Sequence, residues 1–562
     1  MSGPRAVRVV TDVAALDREF DYLVPDSWGP LEVGDEVRVD LHHRRVRAWV
    51  VGDAVPDGDL KPVLARRGLG PPPSVIALSA WAAWRWVGPR VRFLRAASAP
   101  RIVREIPTPP LAAPIESAWE PPPSGVLEVA PTTDPLELVL ASYHATCRAG
   151  STLLVLVPTE GWAERLRARL EHRGLPSARG DEWERARAGW PVVVGTRGAA
   201  FAPIPRLAGA VVLDADDDGY ASTAAPTWNA LAVVRERCRR EGVPWWASAS
   251  VLDPVLDAAR VGPSAASSGW PRIEVVDRRR SDPHDGVLSR EAVTAAHQAL
   301  AGEEPVAVVV LHPRLGRGRL VACALCGELQ RCATCGLAER EIEATLRCDE
   351  GHETRERFCR ACGSTRVRAV RSGVTTLARD VAAQLGQPVS EVTASTPDAE
   401  TWERVVVGTE ALWGRVRRAG VVIVADFDEY LLAPRASARR DALRAIARAG
   451  RLVGSRAEAR GRVVIQTRRG DDAVVRAALL GDPSAVRAAE DEDARELGLP
   501  PYGWSASLRG PGADAFVSML DSQRVRVRRD RDDFQVHASD VATLVEELAR
   551  HPRPPGLRIA VE

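Results

Sequence analysis

The first hundred residues alternate apolar and polar positions in the manner of short, half-buried strands. Segments such as VRVVTDV, EVRVDL and RAWVVGDAV are separated by glycine and proline turns, which predicts a small β-rich domain. The alanine- and tryptophan-rich stretch IALSAWAAWRWV follows and predicts a helix. We therefore predict a β-rich N-terminal domain over residues 1–105.

A different pattern begins near residue 125. It follows residues 106–124, which contain seven prolines and which we interpret as a linker. Short apolar runs (VLEVA, TLLVLVP, PVVVGT, GAVVLDAD) then alternate with helical segments, which predicts parallel strands in an α/β layer fold. A second set of the same kind starts near residue 289. The chain is thus predicted to be an α/β multidomain protein with two parallel-sheet lobes.

The remaining boundaries follow from where these patterns change. The tail mixes helical and strand patterns, which predicts a small α+β domain, and its basic run RVRVRRDR at 524–531 is interpreted as a solvated strand. We place the first lobe at 125–285, the second lobe at 286–322 and 369–468, a cysteine-rich insert at 323–368, and the C-terminal domain at 469–562.

Net charge and apolar runs exclude several classes of protein. The formal net charge is +1, so no global field indicates a polyanionic partner. The longest apolar stretches fall short of the roughly 18–20 residues that span a bilayer, and the N-terminus lacks an apolar signal-peptide core. We therefore expect a cytoplasmic protein with no membrane partner.

Lysine usage excludes one kind of nucleotide site. Lys61 is the only lysine among the 76 basic residues, and it lies in LKPVL, without a glycine-rich loop before it. A P-loop of the form GxxxxGK[ST] needs a lysine that reaches the β- and γ-phosphates. The chain therefore has no Walker A motif.

Seven of the nine cysteines lie between residues 323 and 362, and three CxxC pairs there are each followed by glycine (CALCG, CATCG, CRACG). A CxxCG knuckle turns the backbone so that both thiolates face one ion, and the glycine relieves the turn. With no secretory signal, the cluster indicates zinc rather than disulfides. Because all ligands are protein groups, structural zinc is expected.

Seven thiolates do not complete two four-coordinate sites, and His352 in CDEGH supplies an eighth donor; the alternative is a surface histidine beside an incomplete site. The first predicted site consists of Cys323, Cys326, Cys359 and Cys362. The second consists of Cys332, Cys335, Cys348 and His352.

The order of the motifs resembles the PriA family of replication restart proteins. FDYLVP in a β-rich N-terminus, LHPRLGRGRLVACALCG at 311–327, VVVGTEALW at 405–413, VVIVADFD at 421–428, LRAIARAGR at 443–451 and ELGLPPYG at 496–503 follow the family's order. The resemblance implies an N-terminal domain that binds the 3′ end of DNA, two RecA-like lobes and a two-zinc insert.

The helicase motifs depart from the family pattern. The Walker A position reads LEVAPTTDPLE, and the DEEH-type motif becomes Asp214, Ala215, Asp216 and Asp217, so a methyl group replaces the carboxylate that orients the attacking water. Asp214, Asp216, Arg448 and Arg451 therefore mark a vestigial nucleotide site, with no residue assigned to catalysis. Phosphoryl transfer depends on positioning and electrostatics, so we expect neither ATPase nor helicase activity and doubt ATP binding.

The resemblance also assigns a pocket for a DNA 3′ end. Its residues correspond to Phe20, Asp21 and Lys61, and the family's loop glycine corresponds to His42. A phenyl ring stacks on a base, a carboxylate accepts from a 3′-hydroxyl, and an ammonium meets a phosphate. From the residues alone, Phe20 as a core residue and Asp21 as a turn residue remains an alternative.

The leading hypothesis is a protein that binds stalled or abandoned replication forks and promotes primosome assembly and loading of the replicative helicase. Two alternatives stay open: an active ATP-dependent 3′–5′ DNA helicase, and a zinc-ribbon interaction protein that binds nucleic acid. By resemblance, the partners are branched and single-stranded DNA, primosome proteins, the replicative helicase or its loader, and single-stranded DNA-binding protein, at the nucleoid.

Overall fold

The structure is a computed structural model of the 562-residue chain. It describes every residue except 1–4, 17, 57–58, 118, 223, 281–285, 313–320, 335–338, 343–344, 349–352, 370–373, 394–395, 397–400, 434, 459 and 531–532.

The N-terminal domain is an antiparallel sheet with two helices. Its alternating strands bury valines such as Val9 and Val37 on one face, as the period of two requires. The strands follow the order β2-β1-β4-β3-β5 across the sheet. The elements are β1 Arg5–Thr11, β2 Glu19–Val24, β3 Glu36–Leu41, β4 Arg44–Ala54, β5 Ala65–Gly68, α1 Pro73–Arg85 and α2 Arg90–Ala97.

The first lobe is a six-stranded parallel sheet covered by helices on both faces. Its central strands are fully buried and almost wholly apolar, as sheets with two covered faces require. The elements are β6 Gly125–Glu128, α3 Pro135–Thr146, β7 Thr152–Leu156, α4 Glu160–His172, β8 Ser177–Arg179, α5 Trp183–Ala188, β9 Val192–Gly195, β10 Leu207–Val212, α6 Ala230–Glu241, β11 Trp245–Ala249 and α7 Pro254–Asp257. The strand order is β6-β11-β10-β7-β9-β8.

The second lobe repeats this architecture and contains the cysteine-bearing insert between two of its strands. Its elements are β12 Arg272–Asp277, α8 Arg290–Leu300, β13 Val308–Leu311, then β14 Val321–Cys323, β15 Arg340–Ile342, β16 Thr345–Arg347, β17 Thr354–Glu356 and β18 Val367–Ala369 of the insert, followed by α9 Val374–Leu385, β19 Val389–Val392, β20 Val405–Gly408, β21 Val421–Val424, α10 Asp428–Leu431, α11 Ala438–Val453 and β22 Arg462–Thr467. The sheet order is β12-β22-β21-β13-β20-β19.

Two features of the second lobe differ from the predicted boundaries. β12 lies before residue 286 but pairs in parallel with β22, so it belongs to the second sheet. The pattern RIEVVD fits either lobe, and only non-local hydrogen bonds assign it. At the other end, the helix beginning at Ala473 buries Val474 and Val475 in the core of the second lobe, although residue 469 was the predicted start of the C-terminal domain.

The C-terminal region is an antiparallel sheet with a helical layer. Its elements, with the two helices that precede the sheet, are α12 Ala473–Leu480, α13 Ser484–Leu497, β23 Trp504–Arg509, α14 Ala513–Val517, β24 Arg526–Asp530, β25 Asp533–Ala538, α15 Val541–Arg550 and β26 Arg558–Val561. Residues 526–530 of the basic run form β24, an exposed edge strand of this sheet. No helix within the described part of the chain has the length and apolar character that crossing a bilayer requires. The predicted mixed α/β architecture, with its N-terminal sheet, two parallel-sheet lobes and cysteine-bearing insert, is confirmed.

Candidate functional site

Asp21 lies on β2 and is held by a neighbouring strand. β2 pairs antiparallel with β1 and sets Arg8 opposite Asp21. Arg8 donates to both carboxylate oxygens, over 2.9 Å from Nε and 3.2 Å from Nη2. This fork geometry fixes the orientation of the Asp21 carboxylate. The adjacent Phe20 is partly buried, and the Arg18 guanidinium carbon lies 4.6 Å from its ring centre.

Lys61 lies beside the same strand. Its backbone oxygen accepts from the Leu23 N–H over 3.0 Å, and its Nζ lies 3.3 Å from Oδ1 of Asp40. The His43 N–H also donates to Asp40, and together with Lys61 it lowers the pKa of that carboxyl. Backbone pairing therefore brings Lys61 to the strand that carries Phe20 and Asp21. The Lys61 side chain is 53% exposed.

The turn beside this pocket has a conformation that favours glycine. His42 and His43 connect β3 to β4, and their φ angles are +49° and +65°. Two left-handed residues form the two-residue hairpin turn that matches strand twist and usually contains Asn-Gly. The backbone at His42 therefore has the left-handed conformation that glycine adopts most easily. A histidine occupies this position, where the resemblance expects a glycine.

Four cysteine sulfurs meet at the base of the insert. Cys323, Cys326, Cys359 and Cys362 lie within 4.8 Å of one another, and the Sγ distances are 3.5 Å for Cys323–Cys362 and 3.6 Å for Cys326–Cys359. A tetrahedral zinc with Zn–S bonds of about 2.3 Å requires sulfurs about 3.8 Å apart. The arrangement can therefore hold a metal ion after small adjustments.

Each pair of cysteines lies on a tight turn. The N–H groups of Leu325 and Cys326 point to the Cys323 sulfur over 3.3 and 3.5 Å. Gly327 and Gly363 follow the two pairs with φ angles of +76° and +74°. Such N–H groups favour a thiolate, and the left-handed glycines close each knuckle.

The second predicted metal site is described only in part. Cys332 and Cys348 are buried, whereas Cys335 and His352 lie outside the described residues. Glu353 connects the two described cysteine segments, because its carboxylate accepts from the Ala333 N–H over 2.8 Å and its backbone oxygen accepts from the Cys348 N–H over 3.0 Å. The assignment of these four ligands remains a prediction.

The cleft between the lobes includes the start of α3, where a P-loop protein would bind phosphate. Asp134 caps this helix by accepting from the Leu136 N–H over 3.0 Å, and Pro135 removes one further N–H. Arg169 donates to both Asp134 oxygens, over 2.9 and 2.5 Å. An internal carboxylate therefore occupies the anion-binding end of α3.

The carboxylates that follow β10 face an arginine-bearing helix of the other lobe. We call residues 214–218 the acidic loop, and Arg444, Arg448 and Arg451 on α11 the arginine face. Their spacing of four and three residues places the arginines on one side of the helix. The contacts are Arg448–Asp217 at 2.5 Å, Arg444–Asp216 at 3.3 Å, Arg444–Asp218 at 3.0 Å, and a bidentate pair between Arg451 and Asp214.

Burial makes this contact electrostatically unusual. Burial raises the pKa of Asp216 to about 6, and the nearby Asp214 adds to that effect. Because the pKa of Arg451 is raised by Asp214, the arginine stays charged. At pH 7 the arginine face and the acidic loop are therefore oppositely charged.

A cavity of about 780 Å³ lies beside this contact. Asp134, Asp214 and Arg451 line it, together with Trp162 and Trp413. Two of the groups in it that recognise anions, the start of α3 and Arg451, already have carboxylate partners, and Arg417 and Arg418 also line the cavity.

Sequence reasoning placed Asp214, Asp216, Arg448 and Arg451 in one site, and the structure brings them together at the cleft. Sequence reasoning missed Arg444 and Asp218, which also take part in the contact. The spacing of Arg444 before Arg448 was the available signal. Arg8 and Asp40, the partners of Asp21 and Lys61, gave no signal, because strand register is a non-local property.

Comparison with known proteins finds similarity to replication restart proteins. Residues 8–99 match the family described as the PriA 3′ DNA-binding domain (3′BD). The probable replication restart protein PriA of Mycobacterium tuberculosis is 29% identical over 600 residues, covering 91% of this chain and 87% of the relative. PriA of Thermotoga maritima is 25% identical, covering 60% of this chain and 49% of the relative.

Among solved structures, RecG bound to a three-way DNA junction matches 67% of this chain and 45% of that chain, with a TM-score of 0.35 and 11% identity. This structural match is too weak to support an argument. The similarity to PriA proteins rests on the match of residues 8–99 and on the relatives named above. The chain is thus similar to the PriA replication restart proteins over most of its length, and its residues 8–99 match the 3′ DNA-binding domain family.

Proposed function

We propose that this protein binds stalled or abandoned replication forks and promotes loading of the replicative helicase, without hydrolysing ATP. The observation that carries the proposal is the 3′ DNA-binding domain match over residues 8–99, within a similarity that spans 91% of the chain. Fork recognition then begins at the nascent 3′ end.

In the proposed pocket, Phe20 stacks on the terminal base and Asp21 accepts a hydrogen bond from the 3′-hydroxyl. Lys61 contacts the adjacent phosphate. Arg8 preorganises the Asp21 carboxylate, and Asp40 positions the Lys61 ammonium through one of its three N–H donors, which leaves the others for a phosphate. These contacts position a strand without reading its sequence.

The insert is proposed to hold two zinc ions. The first would be bound by Cys323, Cys326, Cys359 and Cys362, whose sulfurs lie within 4.8 Å of one another. The second would be bound by Cys332, Cys335, Cys348 and His352. Ligands supplied only by the protein favour a structural role, in which the metals hold a module with little apolar core.

The cleft supports the absence of ATP turnover. Ala215 replaces the water-orienting carboxylate, and the arginine face is paired with the acidic loop. A triphosphate would have to displace these carboxylates while being repelled by them. The proposed partners are branched and single-stranded DNA, primosome proteins, the helicase or its loader, and single-stranded DNA-binding protein, in the cytoplasm at the nucleoid.

The proposal is tested by measuring affinity for forks with and without a leading-strand 3′ end at the junction, with ATPase activity measured in the same samples. We expect tighter binding when the 3′ end is present and no hydrolysis above background. Linear duplex DNA and structured RNA of equal length serve as controls at matched salt, because phosphate contacts depend strongly on salt.

Each alternative gives a different result. DNA-stimulated hydrolysis that is lost on changing Arg448 or Arg451 would identify an active helicase. Equal or tighter binding to RNA or to linear duplex would instead favour the zinc-ribbon interaction protein, and either result would contradict the proposal.

A further inference from the structure

The two lobes meet through charges of opposite sign that belong to different lobes. The acidic loop follows β10 in the first lobe and the arginine face lies on α11 in the second, and four ion pairs connect them. Each of the three arginines has at least one partner across the cleft. Each positive group of the arginine face therefore lies against a negative group of the acidic loop.

The pairs at the centre of the contact are shielded from water. The Arg444 and Asp216 side chains are 7% and 5% exposed, and those of Arg448 and Asp217 are 15% and 21% exposed. Buried charges attract more strongly than surface charges, and salt screens them less. The attraction within these pairs is therefore stronger than in a surface pair such as Arg439–Asp493, and removal of one partner leaves a buried charge without it.

Further hydrogen bonds connect the lobes on either side of this contact. The Arg451 Nε donates to the Pro131 oxygen over 3.0 Å, and Arg165 of α4 donates to the Gly414 oxygen over 2.8 Å. Arg487 of α13 pairs with Glu128 over 3.0 Å. The ion pairs thus lie within a continuous interface rather than at an isolated point.

We propose that the acidic loop and the arginine face form an internal clamp that holds the lobes closed without a nucleotide. Where arginines in such a cleft stabilise a bound phosphate, closure depends on the ligand. Here the carboxylates of the acidic loop supply the negative charge, so closure is built into the chain. The protein then presents one fixed arrangement of its lobes to DNA and to partners, whether or not ATP is present.

The test measures the distance between the lobes. Spin-label amino acids are inserted at Glu171 on α4 and at Arg379 on α9, which are 52% and 75% exposed. Pulsed electron spin resonance then gives the distance distribution in the full chain. We expect a narrow distribution that a non-hydrolysable ATP analogue with Mg²⁺ leaves unchanged, and a broader distribution, shifted to longer distances, in Arg448→Gln/Arg451→Gln.

The matched control is Arg439→Gln, which removes the same charge from the same helix but loses only Asp493 of α13, a helix whose Val486 packs in the core of the second lobe. It should keep the narrow distribution, as should Arg448→Lys, which retains the charge. Circular dichroism and zinc content verify folding. If the double variant does not fold, the single variant Arg448→Gln, whose arginine is only partly buried, gives the same comparison.

Two results would overturn the clamp. One is a distribution in the folded glutamine variants that equals that of the parent and of Arg439→Gln. The other is a parent distribution that narrows or shortens when the ATP analogue is added. Fork binding by the same variants is measured separately, so failure of the clamp is distinguishable from failure of the proposed function.

Discussion

At the scale of single residues, Lys61 combines an unusual identity with a defined position. It is the only lysine of the chain, and Asp40 holds its ammonium 3.3 Å away beside β2. An ammonium is a compact point charge, whereas a guanidinium is a broad planar fork. The half-exposed Lys61 side chain therefore leaves N–H donors available for a phosphate contact.

We predict that Lys61→Ala weakens binding to forks with a leading-strand 3′ end while sparing forks that lack one. The loss should be about 1–2 kcal/mol, the scale of a charge-assisted hydrogen bond. Asp21→Ala should give the same selective loss, because both side chains would contact one nucleotide. Fluorescence anisotropy with both fork types measures the difference.

The control for this prediction is Arg92→Ala, which removes one exposed positive charge from α2 of the same domain. It should affect both fork types equally. Equal weakening of both forks by Lys61→Ala would make Lys61 a non-specific backbone contact, and unchanged binding would leave it without a DNA role.

Asp134 gives a prediction for pH. Partial burial acts to raise the pKa of its carboxyl, but hydrogen bonds from Arg169 and the Leu136 N–H outweigh burial and lower the pKa. A lowered folded pKa stabilises the protein above the unfolded value near 3.9, and this stability is lost as pH falls through the folded pKa. Asp134→Asn keeps the cap but loses the charge, so it should lower stability at pH 7 by about 0.2–1 kcal/mol.

The measurement is the difference in Tm between parent and Asp134→Asn from pH 7 down to pH 2.5. The difference should be constant near neutrality, begin to fall below about pH 4 and disappear as the pH passes below the lowered folded pKa. A difference that persists unchanged at pH 2.5 would show that the carboxylate charge is not its cause.

At the scale of elements, the insert depends on metal. Its strands β14 to β18 are three residues each, too short to form a stable module without further support. We predict about two zinc ions per purified chain by mass spectrometry. Cys359→Ser should remove one of them, and His352→Ala should reduce occupancy of the other.

Cys147→Ser is the matched control, since Cys147 lies in the first lobe, where burial raises the pKa of its thiol to about 12 and disfavours the thiolate. It should retain both ions. A parent value near one ion, unchanged in His352→Ala, would contradict the histidine assignment.

The elements themselves were the most predictable part of the chain. The runs TLLVL and VVIV form buried parallel strands, as their continuous apolar character and their alternation with helical segments predict. The CxxCG spacing likewise predicts that cysteines of separate knuckles share one ion, and four sulfurs do meet at the base of the insert. The resemblance placed Arg451 and Asp214 in one site, but their direct ion pair was not predicted, because it joins residues 237 positions apart in a cleft that local patterns do not describe.

At the scale of the whole molecule, Arg85 connects the N-terminal domain to the C-terminal sheet. Its guanidinium carbon lies 5.2 Å from the Trp86 ring centre and 4.7 Å from that of Trp504. It also donates to the Glu562 oxygen over 3.1 Å. Burial lowers its pKa to about 10, which leaves it charged at pH 7.

We predict that Arg85→Ala destabilises the protein by about 1–3 kcal/mol, through loss of two cation–π contacts and one buried hydrogen bond. Thermal unfolding should show an earlier transition for the C-terminal region. Arg185→Ala, which removes a cation–π contact with Trp190 and an ion pair with Glu182 at the surface, is the control and should have a smaller effect. Equal shifts in both variants would show that Arg85 does not connect the domains.

The order of the domains along the chain was predictable from sequence, but the boundaries between them were less predictable. Alternation of strands and helices gave two lobes, whereas the assignment of β12 to the second sheet depends on pairing with β22, nearly two hundred residues later. The other predicted limits remain predictions.

The ion pairs across the cleft also determine which single substitutions the protein tolerates there. Removing Asp214 alone leaves Arg451 without its bidentate partner, and removing Arg444 leaves Asp216 buried and unpaired. Loss of one partner from a buried pair costs about 3–5 kcal/mol, a large part of a typical stability of about 5–15 kcal/mol. Adding a P-loop lysine would not remove the Asp134 cap from the start of α3. Removing one partner alone is therefore destabilising, so the internal charges of the cleft can be cleared only by substituting carboxylates and arginines together.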